Sequence, residues 1–140
     1  MKAWSKAYAI DANVILRYLT RDVEHQYLAA VAIMDAVQDG KLTVLCEPVT
    51  LAEIVWVLQK VYSLSRQQIH DGLSPILASG SFQMPDKRRY VRALELYTAS
   101  VPHFGDACAC AAALETCGGR LLSFDKDLSN VVGIERLESA

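Results

Sequence analysis

Apolar positions along this chain fall into short runs and helical stripes separated by polar punctuation, and that rhythm predicts the elements. Tyr8-Ala9-Ile10 is a short apolar run that ends at Asp11, and helical character follows from Val14 to Leu19. A second helix is predicted from Glu24 to Val37, with Leu28, Val31 and Met34 at spacings of three and Asp39-Gly40 as its end. Leu42 to Cys46 reads as a strand. Pro48 opens a helix carrying Leu51, Ile54, Val55, Leu58 and Val61 on one face. Ser65 with Gln68 is a capping-box signature for another, running to about Ala78. Asp86 to about Ser100 is predicted helical with Leu94 and Tyr97 inward, and Phe104 to Cys117 is an Ala-rich helix stopped by Gly118-Gly119. Arg120 to Phe124 and Ile134 to Leu137 are the last predicted strands.

Strands separated by helices favour an α/β fold with a central, mostly parallel sheet of four to five short strands flanked by helices. No repeat or linker interrupts the pattern, so residues 1–140 are expected to form a single domain. The chain is 52% hydrophobic and 21% charged, which excludes a disordered chain. Fourteen basic against 16 acidic residues leave a net charge of −2, so any nucleic-acid contact must be a local patch. The longest uncharged stretch, Gly72 to Pro85, is broken by Gly, Ser and Pro, and no membrane span is expected. The opening Met1 to Lys6 lacks the apolar core of a signal peptide. Cys46, Cys108, Cys110 and Cys117 show no Cys-x-x-Cys spacing and no matching histidines, so they are expected as free thiols in apolar surroundings. A cytoplasmic location is expected from both features.

In open parallel sheets, ligands bind beyond the carboxyl ends of the strands. Asp11 lies just past the first predicted strand and Asp125 just past Leu121 to Phe124. Glu53 has Val49, Thr50, Trp56 and Val57 as its neighbours one turn away, with no basic residue among them, and Asp106 repeats the pattern with Ala109 and Cys110. Each acid has a plainer reading. Thr50-x-x-Glu53 matches a capping box, Asp106 and Asp125 suit N-caps, and Asp11-Ala12-Asn13 suits a turn. Four carboxylates brought to one sheet edge repel one another unless some are protonated or a divalent cation sits among them. Oxygen-only ligands suit Mg²⁺ or Mn²⁺.

The run from Ile10 to Asp22 resembles the opening of a PIN-domain ribonuclease, and is most similar to the VapC-type toxins of toxin–antitoxin pairs. Thr50-Leu51-Ala52-Glu53-Ile54-Val55, Phe104-Gly105-Asp106-Ala107 and Ser123-Phe124-Asp125-Lys126-Asp127-Leu128 resemble the family's later acidic segments, in order and over nearly the whole chain. The resemblance implies a PIN-like three-layer fold and a metal-dependent endoribonuclease. It makes Asp11, Glu53, Asp106 and Asp125 the catalytic, metal-binding carboxylates, with Asn13 and Ser123 orienting the site. Asp127 is a neighbour that could share the role of Asp125. Mg²⁺ or Mn²⁺ is the implied cofactor and RNA the implied substrate. A homodimer and a small antitoxin are the implied partners. The Cys108/Cys110 pair departs from the bulkier aliphatics usual in the family, which concerns packing.

An acidic site needs cations elsewhere to hold a polyanion. Arg17 and Arg21 form one candidate pair for RNA phosphates, and Arg88 and Arg92, within the Lys87–Arg92 run, another. An ordinary solvated face is the favoured reading of the latter run. Tyr18, Tyr27, Trp56 and Tyr62 are expected in the core or a dimer interface, and His103 is expected to hydrogen-bond locally to Asp106. Two other readings compete. One is a PIN-fold binding module without catalysis. The other is a haloacid-dehalogenase-like phosphatase, for which Asn13 stands where the second Asp of Asp-x-Asp belongs.

Overall fold

The computed structural model describes residues 7–140, so the opening Met1 to Lys6, and the reading of it as no signal peptide, lie outside the described residues. The described residues form a mixed α/β structure of six α-helices and five short parallel strands. The chain divides into two compact units, Met1–Lys87 and Arg88–Ala140.

In the first unit, strands β1 (Ala7–Ala9), β2 (Thr43–Leu45) and β3 (Phe82–Gln83) form a parallel sheet in that order. Helices α1 (Ala12–Thr20), α2 (Glu24–Gln38), α3 (Pro48–Lys60) and α4 (Arg66–Ala78) connect them. Parallel pairing requires such crossovers, since a tight turn only reverses the chain. The capping box at Ser65 and Gln68 forms as the sequence indicates. Val44, Phe82, Ile15, Met34, Leu51, Ile54, Leu58, Ile69 and Leu73 are all at most 2% exposed. Each such aliphatic contributes roughly 1.5–3 kcal/mol on burial.

Two apolar expectations are corrected and a third is narrowed. Leu28 is 59% exposed, because steps of three drift about 60° round a helix and carry it away from the face of Ala30, Met34 and Val37. Val61 is 63% exposed, since α3 ends at Lys60 before the stripe reaches it. Trp56 is 58% exposed, so of its two expected settings, core or dimer interface, the core is excluded.

In the second unit, α5 (Lys87–Ala99, its first residue counted with the first unit) and α6 (Phe104–Thr116) precede the parallel pair β4 (Arg120–Leu122) and β5 (Glu135–Leu137), which are joined through a 3₁₀ segment, Lys126–Asn130. Among the described residues the strands thus make a three-stranded and a two-stranded sheet. Leu94 and Tyr97 do point inward, and the Tyr97 ring meets Phe104 edge-on at 5.7 Å. Gly119 has φ +82°, and a Cβ there would lie 2.0 Å from the Gly133 carbonyl oxygen. Only glycine allows this approach, which lets the Gly119 carbonyl accept the Glu135 N–H at 2.8 Å and start the β4–β5 ladder.

All four cysteines are free, but only Cys46 and Cys110 are buried. Cys117 is exposed because it occupies the C-cap of α6, past the last inward turn. Among the described residues no helix is long and apolar enough to cross a membrane.

Candidate functional site

Asp11 follows the end of β1 and occupies the N-cap of α1, with extended backbone angles and no side-chain cap hydrogen bond. The usual reason for an Asp at that position is therefore missing. Asp11 is exposed, as is Asn13 two residues on. Glu53 stands in the second turn of α3 and is exposed rather than buried on the helix's apolar face. The N-cap of α3 is Glu47, with Pro48 at the first helical position, so Thr50 does not cap and the Thr50–Glu53 capping box does not form. The exposed positions around Glu53 include Val49 (75%) and Trp56, a largely apolar setting with no basic side chain one turn away.

In the second unit, Asp106 lies in the first turn of α6 and is half-buried. The N-cap there is His103, without a side-chain cap bond, and the expected hydrogen bond between His103 and Asp106 is absent among the described residues. Asp125 is the exception among the acids, because here the capping alternative is realised. Its Oδ1 accepts the Asp127 N–H at 3.0 Å at the head of the 3₁₀ segment. Ser123 Oγ in turn accepts the Asp125 N–H at 3.0 Å. Asp106 and Asp125 act electrostatically on the same atom. The Cys110 thiol is raised above its ordinary value, first by burial and then by those two carboxylates.

Asp11, Glu53 and Asp106 enter no side-chain hydrogen bond or ion pair among the described residues. Their donor chemistry, carboxylate oxygens without competing cations, fits a hard divalent ion. Among the described residues, however, no three His, Cys, Asp or Glu side chains gather closely enough to hold a metal.

The basic candidates divide sharply. Arg21 ends α1 in a left-handed conformation, pairs with Glu24 at 3.1 Å and lies 4.6 Å from the centre of the Tyr27 ring. Arg17 donates Nε to Gln26 Oε1 at 2.7 Å and lines a cleft between α1 and α2. Of the Lys87–Arg92 run, Lys87 donates to the Ser79 and Phe82 carbonyls and Arg89 pairs with Glu115. Arg88 and Arg92 remain exposed.

Two residues with local importance escaped the sequence reading. Arg136 of β5 donates to the Ser123 carbonyl at 2.7 Å and to Ser129 Oγ at 2.9 Å, bracing the loop that carries Asp125. A basic residue in a late strand was the only signal for it. Gln26, which holds Arg17, gave none.

The described residues thus form an α/β chain with Asp11 after a parallel strand and Asp106 at a helix start. The PIN domain family profile matches residues 8–134, through both units, and the chain belongs to the PIN-domain family. PIN domains are generally nucleases, and that places the chain with ribonuclease-type hydrolases. A search of curated proteins finds no match.

Proposed function

We propose that this chain is a metal-dependent endoribonuclease of the VapC toxin type, held in check by a small antitoxin. The observation that carries the reading is the family match over residues 8–134 combined with acids that no local structural role explains. Asp11, Glu53, Asp106 and Asp125 are the carboxylates assigned to Mg²⁺ or Mn²⁺. A divalent ion so bound supplies a water of lowered pKa and positive charge for the phosphoryl group. Ser123 holds the Asp125 backbone through its hydroxyl, and Asn13, two residues after Asp11, is the other residue assigned to orient the site. A basic side chain from the antitoxin would neutralise the acids in place of the ion. A homodimer and a cytoplasmic location complete the proposal, with the exposed apolar positions Val49 and Trp56 on α3 suiting a dimer contact.

The test is cleavage of structured RNAs, tRNAs included, by antitoxin-free protein with Mg²⁺, Mn²⁺ or EDTA. Cutting that needs metal and falls at least about 100-fold in Asp106→Asn supports the reading, since general acid–base and metal contributions are of that order. Folded protein that neither cuts nor binds Mn²⁺ would instead be a binding module without catalysis.

A further inference from the structure

A cleft of about 290 Å³ opens between α1 and α2 of the first unit. Val14, Ala30 and Ile33 give it apolar lining, and Asn13, Arg17 and Gln26 give it polar groups. The Arg17 guanidinium is oriented but not saturated. Its Nε–H is donated to Gln26 Oε1 at 2.7 Å, and its Nη1 forms an ion pair with Asp22 Oδ1 at 3.6 Å, longer than a hydrogen bond. Asp22 has its own donors in the hydroxyls of Thr20 and Tyr62. The Nη2 edge therefore meets no acceptor among the described residues. A planar fork hydrogen-bonded by Gln26 at Nε and ion-paired with Asp22 at Nη1, with N–H groups still open, is a geometry that receives a phosphate through paired hydrogen bonds. Asn13 and Arg17 are one helical turn apart on the same face, and Asn13 follows Asp11 by two residues.

We infer that this cleft is a subsite for one nucleotide of the RNA chain flanking the bond to be cut. Its phosphate lies on the Arg17 fork and its base against Val14 and Ile33, while Gln26 is the positioning residue that sets the guanidinium plane. The inference rests on the nuclease reading of the same chain.

The probe is a fluorescein-labelled 2′-O-methyl oligonucleotide of mixed sequence, titrated by anisotropy against the full chain in EDTA across a salt series. Arg17→Gln should weaken binding about tenfold, as expected for one charge-assisted contact, and lower the slope of log K against log salt by about 0.7. Gln26→Leu and Ala29→Phe, the latter filling the cleft from an exposed position, should weaken binding severalfold with the slope unchanged. Arg17→Lys should keep the slope and lose part of the affinity, which guards against a variant that misfolds. A methylphosphonate version of the oligonucleotide should bind without dependence on Arg17. The inference falls if wild-type protein does not bind the probe. It also falls if Arg17→Gln and Ala29→Phe bind like wild type, or if the neutral probe shows the same Arg17 dependence. Arg17-dependent binding by a chain that never cleaves RNA would remove the nuclease reading and leave the subsite. Cleavage with Arg17-independent binding would remove the subsite alone.

Discussion

Asp125 accepts the backbone N–H of Asp127 on Oδ1 at 3.0 Å, and this bond gives the two neighbouring acids different work. Asp127 contributes its main chain to the contact, while Asp125 contributes its carboxylate and keeps Oδ2 free of it. Asp125→Asn retains an acceptor for the cap but loses the charge, so RNA cleavage should fall at least about 100-fold with the melting temperature nearly unchanged. Asp125→Ala should lose the activity and also about 1 kcal/mol of stability, the usual worth of a cap. Asp127→Ala should retain both. Cleavage rates and thermal melts of the three variants check this, and loss of activity in Asp127→Ala would transfer the role.

What the sequence made legible, and what it did not, follows from the range of the interactions involved. The α5 face of Leu94 and Tyr97 and the Ser65–Gln68 cap are set by residues within one turn, and both read directly. Strand β3 has only two residues in a Ser-Gly-Ser setting. It exists because the Val44 and Cys46 N–H groups donate to the Ser81 and Gln83 carbonyls, a pairing with no local signature. Asp11, Glu53, Asp106 and Asp125 stand out in the sequence because carboxylates after strands and on apolar helices are conspicuous. The exposure of Glu53 was not, since a helix with apolar residues on every side hides which of them face solvent. The division of labour between Arg17 and Arg21 was equally hidden, because Gln26 and Glu24 lie on the next helix.

The Tyr62 hydroxyl donates to Asp22 Oδ2, tying the end of α3 to the turn after α1. That bond, with smaller help from Thr20 and Arg17, holds the Asp22 carboxyl below its ordinary value of 3.8. A carboxyl lowered on folding stabilises the folded state fully above its unfolded value, and the contribution disappears as pH falls through the folded one. Tyr62→Phe should therefore melt below wild type at neutral pH, and the gap should close as the pH drops beneath 3.8. Melting curves over a pH series measure it. A gap independent of pH would assign the effect of Tyr62 to packing.

The Lys87–Arg92 run looks uniform in sequence, yet its members are committed unequally. Lys87 donates to the Phe82 and Ser79 carbonyls at 2.6 and 2.8 Å, and burial lowers its pKa, so its charge serves the first unit's backbone. Arg89 pairs with Glu115 at 3.1 Å within the second unit. Arg88 and Arg92, four apart and exposed, are the members left to meet a polyanion. Charge reversal at both should flatten the salt dependence of RNA binding by about 1.4, the single-strand value for two phosphates. Stability should move by no more than about 0.5 kcal/mol, because neither side chain is buried. Arg89→Glu should behave in the opposite way, setting a second carboxylate against Glu115 and lowering the melting temperature with less effect on the slope. Binding isotherms at several salt concentrations separate these outcomes, and an unchanged slope in the double variant would make Arg88 and Arg92 a solvated helix face.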